Sequence, residues 1–392
     1  MRYFLFFLLQ FCFLSLFAQQ YSNKIICGAE LMDSYLPLLR GKKVALLVNQ
    51  TSIVKKSHLV DTLQQLGVNI VKIFAPEHGF RGTADAGEKV KTNRDSQTGI
   101  LIESMYGASK KPSSESMKGI DVVVFDIQDV GARFYTYISS LQYMMEACAL
   151  AGTPLIVLDR PNPNGFYVDG PVLNTKLKSF VGMQPIPIVH GMTVGEYANM
   201  LIGEKWLSTS KPCKLTVIPC KQYTHNTLYH LPVPPSPNLK SSTAVLLYPS
   251  LCLFEGTFVS VGRGTDSPFE VWGHPKFKDN GFSFVPISTV GAKKPLYEGE
   301  TCYGANLQLS PQQVLKIIDK KLNLTFLKNA YFLSGQSANF FNSFFEKLAG
   351  TELLRSQIIR DLSEEEIRDS WKKDILQFKK IRKKYLLYED FE

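Results

Sequence analysis

The sequence of 392 residues contains no GxxxxGKS/T loop, no GxSxG elbow, no HExxH helix and no CxxC pair. Those absences argue against a P-loop nucleotide site, an esterase triad, a zincin-type metal centre and a zinc ribbon. Glycine is also missing where a dinucleotide fold requires it. The strand-like run Lys43–Val48 leads directly into Asn49-Gln50-Thr51-Ser52, and backbone cannot approach a pyrophosphate there without glycines. The later VGRGTD carries Gly262 and Gly264 but lacks the third glycine. Histidine is scarce, with six in all and no His-x-His. His190 and His274 stand on turns, where a hydrogen-bonded structural role is commoner than ligation. We therefore expect no metal and no cofactor. Internal repeats and low-complexity tracts are absent, as is any apolar run after the N-terminus long enough to span a bilayer.

The seven cysteines are scattered. Cys12 falls in the apolar N-terminal run; Cys27, Cys148, Cys213, Cys220, Cys252 and Cys302 remain. Cys213 and Cys220, flanking a strand-like KLTVIP, are the nearest pair in sequence. Buried free thiols are at least as plausible in a chain with enough apolar sequence for a full core. Composition is that of a globular protein, 45% hydrophobic and 20% charged. The net charge of +9 suits an anionic partner, although Lys372, Lys373, Lys379, Lys380, Lys383 and Lys384 read as one solvated helix face. Basic residues are not interleaved with stacking aromatics, so nucleic acid is not expected. MRYFLFFLLQFCFLSLFAQQ has one Arg, a continuous apolar run and then Ala18. It reads as a signal peptide over 1–18, which implies an exported protein without stable membrane insertion.

Along the chain, Glu30–Leu39 is helical in spacing and Lys43–Val48 strand-like. Leu59–Leu66 is helical and Asn69–Phe74 strand-like. Strand, helix, strand at this spacing makes a βαβ unit with a parallel sheet. Ala84–Gly107 reads as an irregular loop. Asp121–Asp126 is the next strand, Ile138–Leu150 a helix, Pro154–Leu158 a strand, Thr193–Gly203 a helix with a Thr193/Glu196 capping box, and Lys214–Pro219 a strand. The Pro-dense Leu231–Asn238 is the expected domain boundary. It separates an α/β domain over 24–238 from an α+β domain over 239–392. The second part holds an apolar stretch at Thr243–Phe254, a strand at Phe258–Val261 and short β segments to Leu309. Helices follow at Pro311–Lys321, near Phe340–Leu348, at Glu352–Asp361, and from Ser363, capped with Glu366.

Three successive strands end in acidic or polar residues: Glu77 in VKIFAPEHGFRG, then Asp126 and Asp129, then Asp159 with Arg160. Parallel strands deliver such ends to one edge, where open α/β sheets bind ligands. Carboxylate chemistry suits the set, since glycosidic hydrolysis needs an acid for the leaving oxygen and in most families a second carboxylate. Glu77 lies beside Phe74 and Phe80, which would favour its acid form. Asp126, Asp129, Glu255 and Glu270 are candidate partners. Phe134, Tyr135, Tyr137 and Trp272 could stack on sugars, though core packing is the simpler reading for Phe134. Arg81, Arg133, Arg160 and Arg263 could hold an anionic substituent, or simply pair with these acids. A salt bridge between Glu77 and Arg81 in an ordinary polar loop is the plain alternative for the first stretch.

At these residues the chain resembles the exo-β-N-acetylmuramidase (NamZ-type) family of bacterial cell-wall turnover. The stretches are FAPEHGFRGTADAGEKV, VVVFDIQDVGARFYTYISS, VLDRPNPNG, DGPVL, VHGMTVGEYANML, LPVPPSPNL, YPSLCLFEGTFVSVGRGTDSPFEVWG and LRSQIIRDLSEEEIRDSW. The resemblance spans nearly the whole chain after the leader. It implies a Rossmann-like domain, a smaller C-terminal domain and an active-site cleft between them. It also implies release of N-acetylmuramic acid from the non-reducing end of peptidoglycan-derived glycans, without metal or nucleotide. The family's catalytic Glu maps onto Glu77. The second group stays open among Asp126, Asp129, Glu255 and Glu270, or the substrate's own N-acetyl group. His78, Arg81, Arg133, Tyr135, Tyr137, Arg160, Arg263 and Glu270 are the expected substrate contacts. One of Arg81, Arg133 or Arg263 is expected on the lactyl carboxylate. A metal-assisted phosphate or ester hydrolase, and a non-catalytic periplasmic binding protein for wall sugars, are the alternatives.

Overall fold

The computed structural model describes residues 25–77, 79–80, 93–107 and 110–392. The leader expected at 1–18 and the candidates His78 and Arg81 lie outside the described residues. Short, mainly apolar runs make the centre of the sheet, because strands covered on both faces read as near-continuous Val/Leu/Ile sequence. Its strands are β1 (Val44–Val48), β2 (Ile70–Ala75), β3 (Asn93–Arg94), β4 (Leu101–Ser104), β5 (Val122–Asp126), β6 (Leu155–Leu158) and β7 (Leu215–Ile218). They are ordered β3-β4-β2-β1-β5-β6-β7, all pairs parallel except β3 with β4. In register, Leu47 of β1 sits level with Phe74 of β2 on one side and Phe125 of β5 on the other. The carboxyl ends of those three strands therefore share one edge.

Alternate residues separate two cores, as the pleat requires. Ala45, Leu47, Phe74, Val123, Phe125 and Val157 face one cluster, and Val44, Leu46, Ile73, Val124, Ile156 and Leu158 face the other. Crossover helices connect the parallel strands: α1 (Leu59–Gln65), α2 (Tyr137–Ala151) and α3 (Val194–Gly203). α3 carries the expected box, Thr193 with Glu196. The first of the two clusters continues into the second half of the chain. There α4 (Ser242–Leu251), an antiparallel sheet of β8 (Val271–His274), β9 (Ser283–Phe284) and β10 (Cys302–Asn306), and a set of C-terminal helices ending in Glu364–Arg382 complete an α+β arrangement. The architecture is thus α/β with a parallel, Rossmann-like sheet, as expected.

Two expectations need correction. Within the stretch expected to be irregular, β3 and β4 add an edge to the sheet. Leu101-Ile102 is too short an apolar run to be read as a strand. Phe258–Val261, expected as a strand, makes only the isolated bridge Ser260–Gly273 within that range. The flanking Thr257 instead bridges Phe341, so this segment divides its pairing between two neighbours. The Pro-dense stretch follows the rim of the sheet. Carbonyls of Pro234 and Pro235 accept from Gln50 Nε2 at 3.3 and 3.0 Å, which places it over the carboxyl edge. Among the described residues no helix is long and apolar enough to cross a membrane.

Candidate active site

Glu77 stands two residues beyond β2. Pro76 ends the strand, and the Gly79 amide closes the turn on the Pro76 carbonyl at 3.0 Å. Gly79 has φ of 76°, where a side chain would be strained. Glu77 lines a cavity of about 900 Å³ whose walls come from both halves of the chain. Thr136 Oγ1 donates to Glu77 Oε2 at 2.8 Å. Thr136 is the N-cap of α2, a position where Thr normally accepts from the first helical turn. It makes no such cap bond here; its hydroxyl serves Glu77 instead. The carboxyl group consequently stands at the positive end of a 15-residue helix.

Tyr135 and Tyr137 also line the cavity, with ring centroids 4.8 Å apart. Both hydroxyls donate to Pro235 O, at 2.8 and 3.3 Å. They fix the Pro-rich rim and offer the cavity ring surface rather than free phenols. Glu255 enters from the short turn after α4. Its Oε1 accepts from Arg263 Nε and Nη2, each at 2.7 Å. Arg263 also lies 5.1 Å from the Phe269 ring centroid. Burial pulls that guanidinium down, but the Glu255 carboxylate, with Tyr248 and Cys252 adding to it, holds it above its ordinary value. Lys110, Lys293, Lys294 and Lys347 complete the polar lining. Among the described residues five cations thus face two carboxylates, so this lining is net positive before any substrate enters.

Two family models match, described as exo-beta-N-acetylmuramidase NamZ, N-terminal, over residues 44–243, and NamZ, C-terminal, over 246–388. The chain belongs to the exo-β-N-acetylmuramidase NamZ family. It is 37% identical over 380 residues to the peptidoglycan beta-N-acetylmuramidase NamZ of Bacillus subtilis (strain 168), covering 91% of this chain and 90% of that one. Two crystal structures of DUF1343 family proteins from Bacteroides fragilis NCTC 9343 are similar. One is 49% identical with TM-score 0.87, covering 94% of this chain and 100% of that chain. The other is 29% identical with TM-score 0.75, covering 93% and 99%.

Within this NamZ-family fold, several expected site residues do not reach the cavity. Asp126 is fully buried and receives Arg160 Nε at 2.6 Å and Nη2 at 2.9 Å. Arg160 is committed to that carboxylate and to Ile53 O, so neither is available to a sugar. Arg133 donates to the carbonyls of Pro171, Ile186, Leu348 and Ala349 at 2.7–2.8 Å. Burial with no carboxylate beside it draws the guanidinium down to about 9. It ties the sheet's loops to the helix Phe345–Ala349, which carries the cavity residue Lys347. Glu270 accepts from Ser241, the N-cap of α4. Trp272 packs on Phe254 at 5.4 Å. Neither lines the cavity, and neither do Phe74 and Phe80, which belong to the two cores. Phe134 does line it, while packing edge-on to Tyr248.

Asp129 is buried and does not line the cavity. Its Oδ2 accepts from Gly131 N at 2.7 Å, while Oδ1 has no hydrogen-bond partner among the described residues. Burial raises the carboxyl to about 7, and His190, 4.0 Å away, is pushed by burial to about 3 and stays neutral. A folded-state value above the unfolded one supports the fold below the unfolded value, and that support is lost as pH rises through about 7. Asp129→Asn, which mimics the protonated carboxyl, is expected to flatten the fall in melting temperature between roughly pH 5 and pH 8. An unchanged pH–melting curve would refute this.

Thr136 and the four lysines were not singled out from sequence. Thr136 sits within ARFYTY, beside two candidates. Lys293 and Lys294 carry no local signal of a site, and the fold brings them to the lining of the cavity that holds Glu77.

Proposed function

We propose that this chain is an exo-acting glycosidase that releases N-acetylmuramic acid from the non-reducing end of peptidoglycan-derived glycans, with Glu77 as its acid catalyst. The placement of Glu77 carries the reading: a carboxyl group oriented by Thr136, at the sheet's carboxyl edge, in a sugar-sized and net-positive cavity. The activity named for the Bacillus subtilis relative supports this over the metal-assisted hydrolase and the binding protein. In its acid form Glu77 passes a proton to the glycosidic oxygen as the bond to the anomeric carbon breaks. Positive charge then develops at that carbon and the ring oxygen. Glu255, oriented by Arg263, is the second carboxylate on the cavity wall and a candidate to stabilise that charge. The ring faces of Tyr135 and Tyr137 bound the sugar. An N-terminal leader over 1–18 carries the chain to the compartment where wall fragments lie.

The test is hydrolysis of paired chromogenic glycosides. The muramyl glycoside should be cleaved and the glucosaminyl one left nearly intact. Muramyl-terminated glycans should yield only the terminal monosaccharide. Internal cleavage, or no release of N-acetylmuramic acid, would end the proposal.

The lactyl carboxylate needs a cation, and Arg133 and Arg263 are both engaged elsewhere. Lys294 and Lys347 line the cavity and make no ion pair among the described residues. Hydrogen bonds to charged groups are worth about 1.5–3 kcal/mol. Replacing either Lys by Gln should therefore lower kcat/KM for the muramyl substrate by about tenfold or more, chiefly through KM. The residual glucosaminyl rate should stay unchanged. Equal losses on both substrates would assign these lysines another role.

A further inference from the structure

Ile26 and Lys221 form an isolated antiparallel bridge and exchange both backbone hydrogen bonds, at 3.1 and 2.8 Å. The next pair across such a bridge is of the non-hydrogen-bonded kind, with Cα atoms about 4.5 Å apart and side chains on one face. That pair is Cys27 and Cys220. A disulfide requires Cα atoms roughly 4.4–6.8 Å apart. Other contacts place the two thiols together. Cys220 Sγ is 3.2 Å from Asp159 O, and the same carbonyl accepts Gly28 N at 2.9 Å. The two thiols lie close enough for each to shift the other's proton affinity. Both residues are buried, and neither lines the cavity.

We propose that Cys27 and Cys220 are joined by a disulfide in the exported chain, formed by exchange with a protein disulfide donor of that compartment. The proposal rests on the export reading and not on the glycosidase reading. The pair closest in sequence, Cys213 and Cys220, is excluded by the strand between them. The four residues of β7 alone extend over about 13 Å at roughly 3.3 Å each, too far for a bridge.

The neighbouring Cys220 thiol holds the Cys27 thiol below its ordinary value against burial, with Arg160 adding to it, whereas burial pushes Cys220 up. Cys27 is therefore the attacking sulfur. Its thiolate opens the donor's disulfide to give a mixed disulfide and one donor thiol. The Cys220 sulfur, losing its proton, then displaces the second donor thiol. One S–S bond forms in the chain, one is lost from the donor, and the donor leaves as a dithiol. The product pins residues 25–30 to the carboxyl end of β7 and closes a long loop, which restricts the unfolded chain.

The full chain with its leader is produced in a bacterial host, fractionated and alkylated under denaturing, non-reducing conditions. We expect periplasmic protein lacking 1–18, lighter by two hydrogens than its dithiol form. We also expect a reducible cross-linked peptide joining Cys27 to Cys220. Reduction or Cys27→Ser should lower the melting temperature by several degrees while muramyl glycoside hydrolysis is unchanged. Periplasmic chain alkylated at both cysteines, or cross-linked through Cys213, overturns the proposal. Purified reduced protein is oxidised with glutathione disulfide in parallel. A 27–220 cross-link there, with a cytosolic leader-bearing dithiol in cells, places the failure in the export reading. No cross-link in either arm places it in the geometry.

Discussion

Glu77→Gln should lower kcat on a muramyl glycoside by about 10²–10⁴-fold, the range general acid catalysis contributes, and leave affinity for N-acetylmuramic acid nearly unchanged. The amide matches the carboxyl in size. Its oxygen can still accept from Thr136 Oγ1, which now bonds Oε2 at 2.8 Å, so the turn at Gly79 and the cavity wall should persist. What disappears is the transferable proton. A uniform binding contribution would change KM alone, whereas a group acting only in the transition state changes kcat. Turnover numbers and calorimetric affinity on the same preparation separate the two. A variant that keeps more than about a tenth of wild-type kcat would remove Glu77 from the proton-transfer step. Loss of binding together with turnover would make it a ligand contact instead.

Glu77 was legible in sequence because its signals are local. An apolar run stops at a proline, a glycine permits the turn, and parallel sheets present strand ends to a crevice. The α3 box of Thr193 with Glu196, and that of Ser363 with Glu366, were legible for the same reason: a cap is decided within four residues. Side-chain destinations at the other strand ends were not. Asp126 and Arg160 end adjacent parallel strands, so their side chains meet across the sheet and satisfy each other before any ligand does. Asp129 turns its carboxylate back onto its own loop, accepting from Gly131 N, and does not line the cavity. Arg133 immediately precedes the cavity-lining run Phe134–Tyr137, yet it points the other way into carbonyls contributed from as far as Ala349. Such partners are set by packing between segments far apart in sequence. The sequence marks the cavity's acidic residues well and its lysines poorly, because an isolated lysine carries no local signature of what it will face.

Asp126→Ala is expected to destabilise the fold by about 3–5 kcal/mol, the usual cost of stranding one member of a buried ion pair. The Arg160 guanidinium would remain buried with Ile53 O as its one other hydrogen-bond acceptor among the described residues. Its two bonds to Asp126, at 2.6 and 2.9 Å, would have no replacement. Burial alone pulls Arg160 down, and the Asp126 carboxylate is the largest influence holding it up. The double variant Asp126→Leu with Arg160→Met should recover most of the loss, since apolar residues of similar volume often match or exceed a buried pair in stability. Chemical denaturation of the two single variants and the double measures this directly. Activity per folded molecule supplies an independent reading. If Asp126 is structural, the double variant should hydrolyse the muramyl glycoside within a few-fold of wild type. If Asp126 takes part in the chemistry, restored stability will not restore turnover, and the carboxylate partner of Glu77 would have to be sought beneath the cavity instead of on its wall at Glu255.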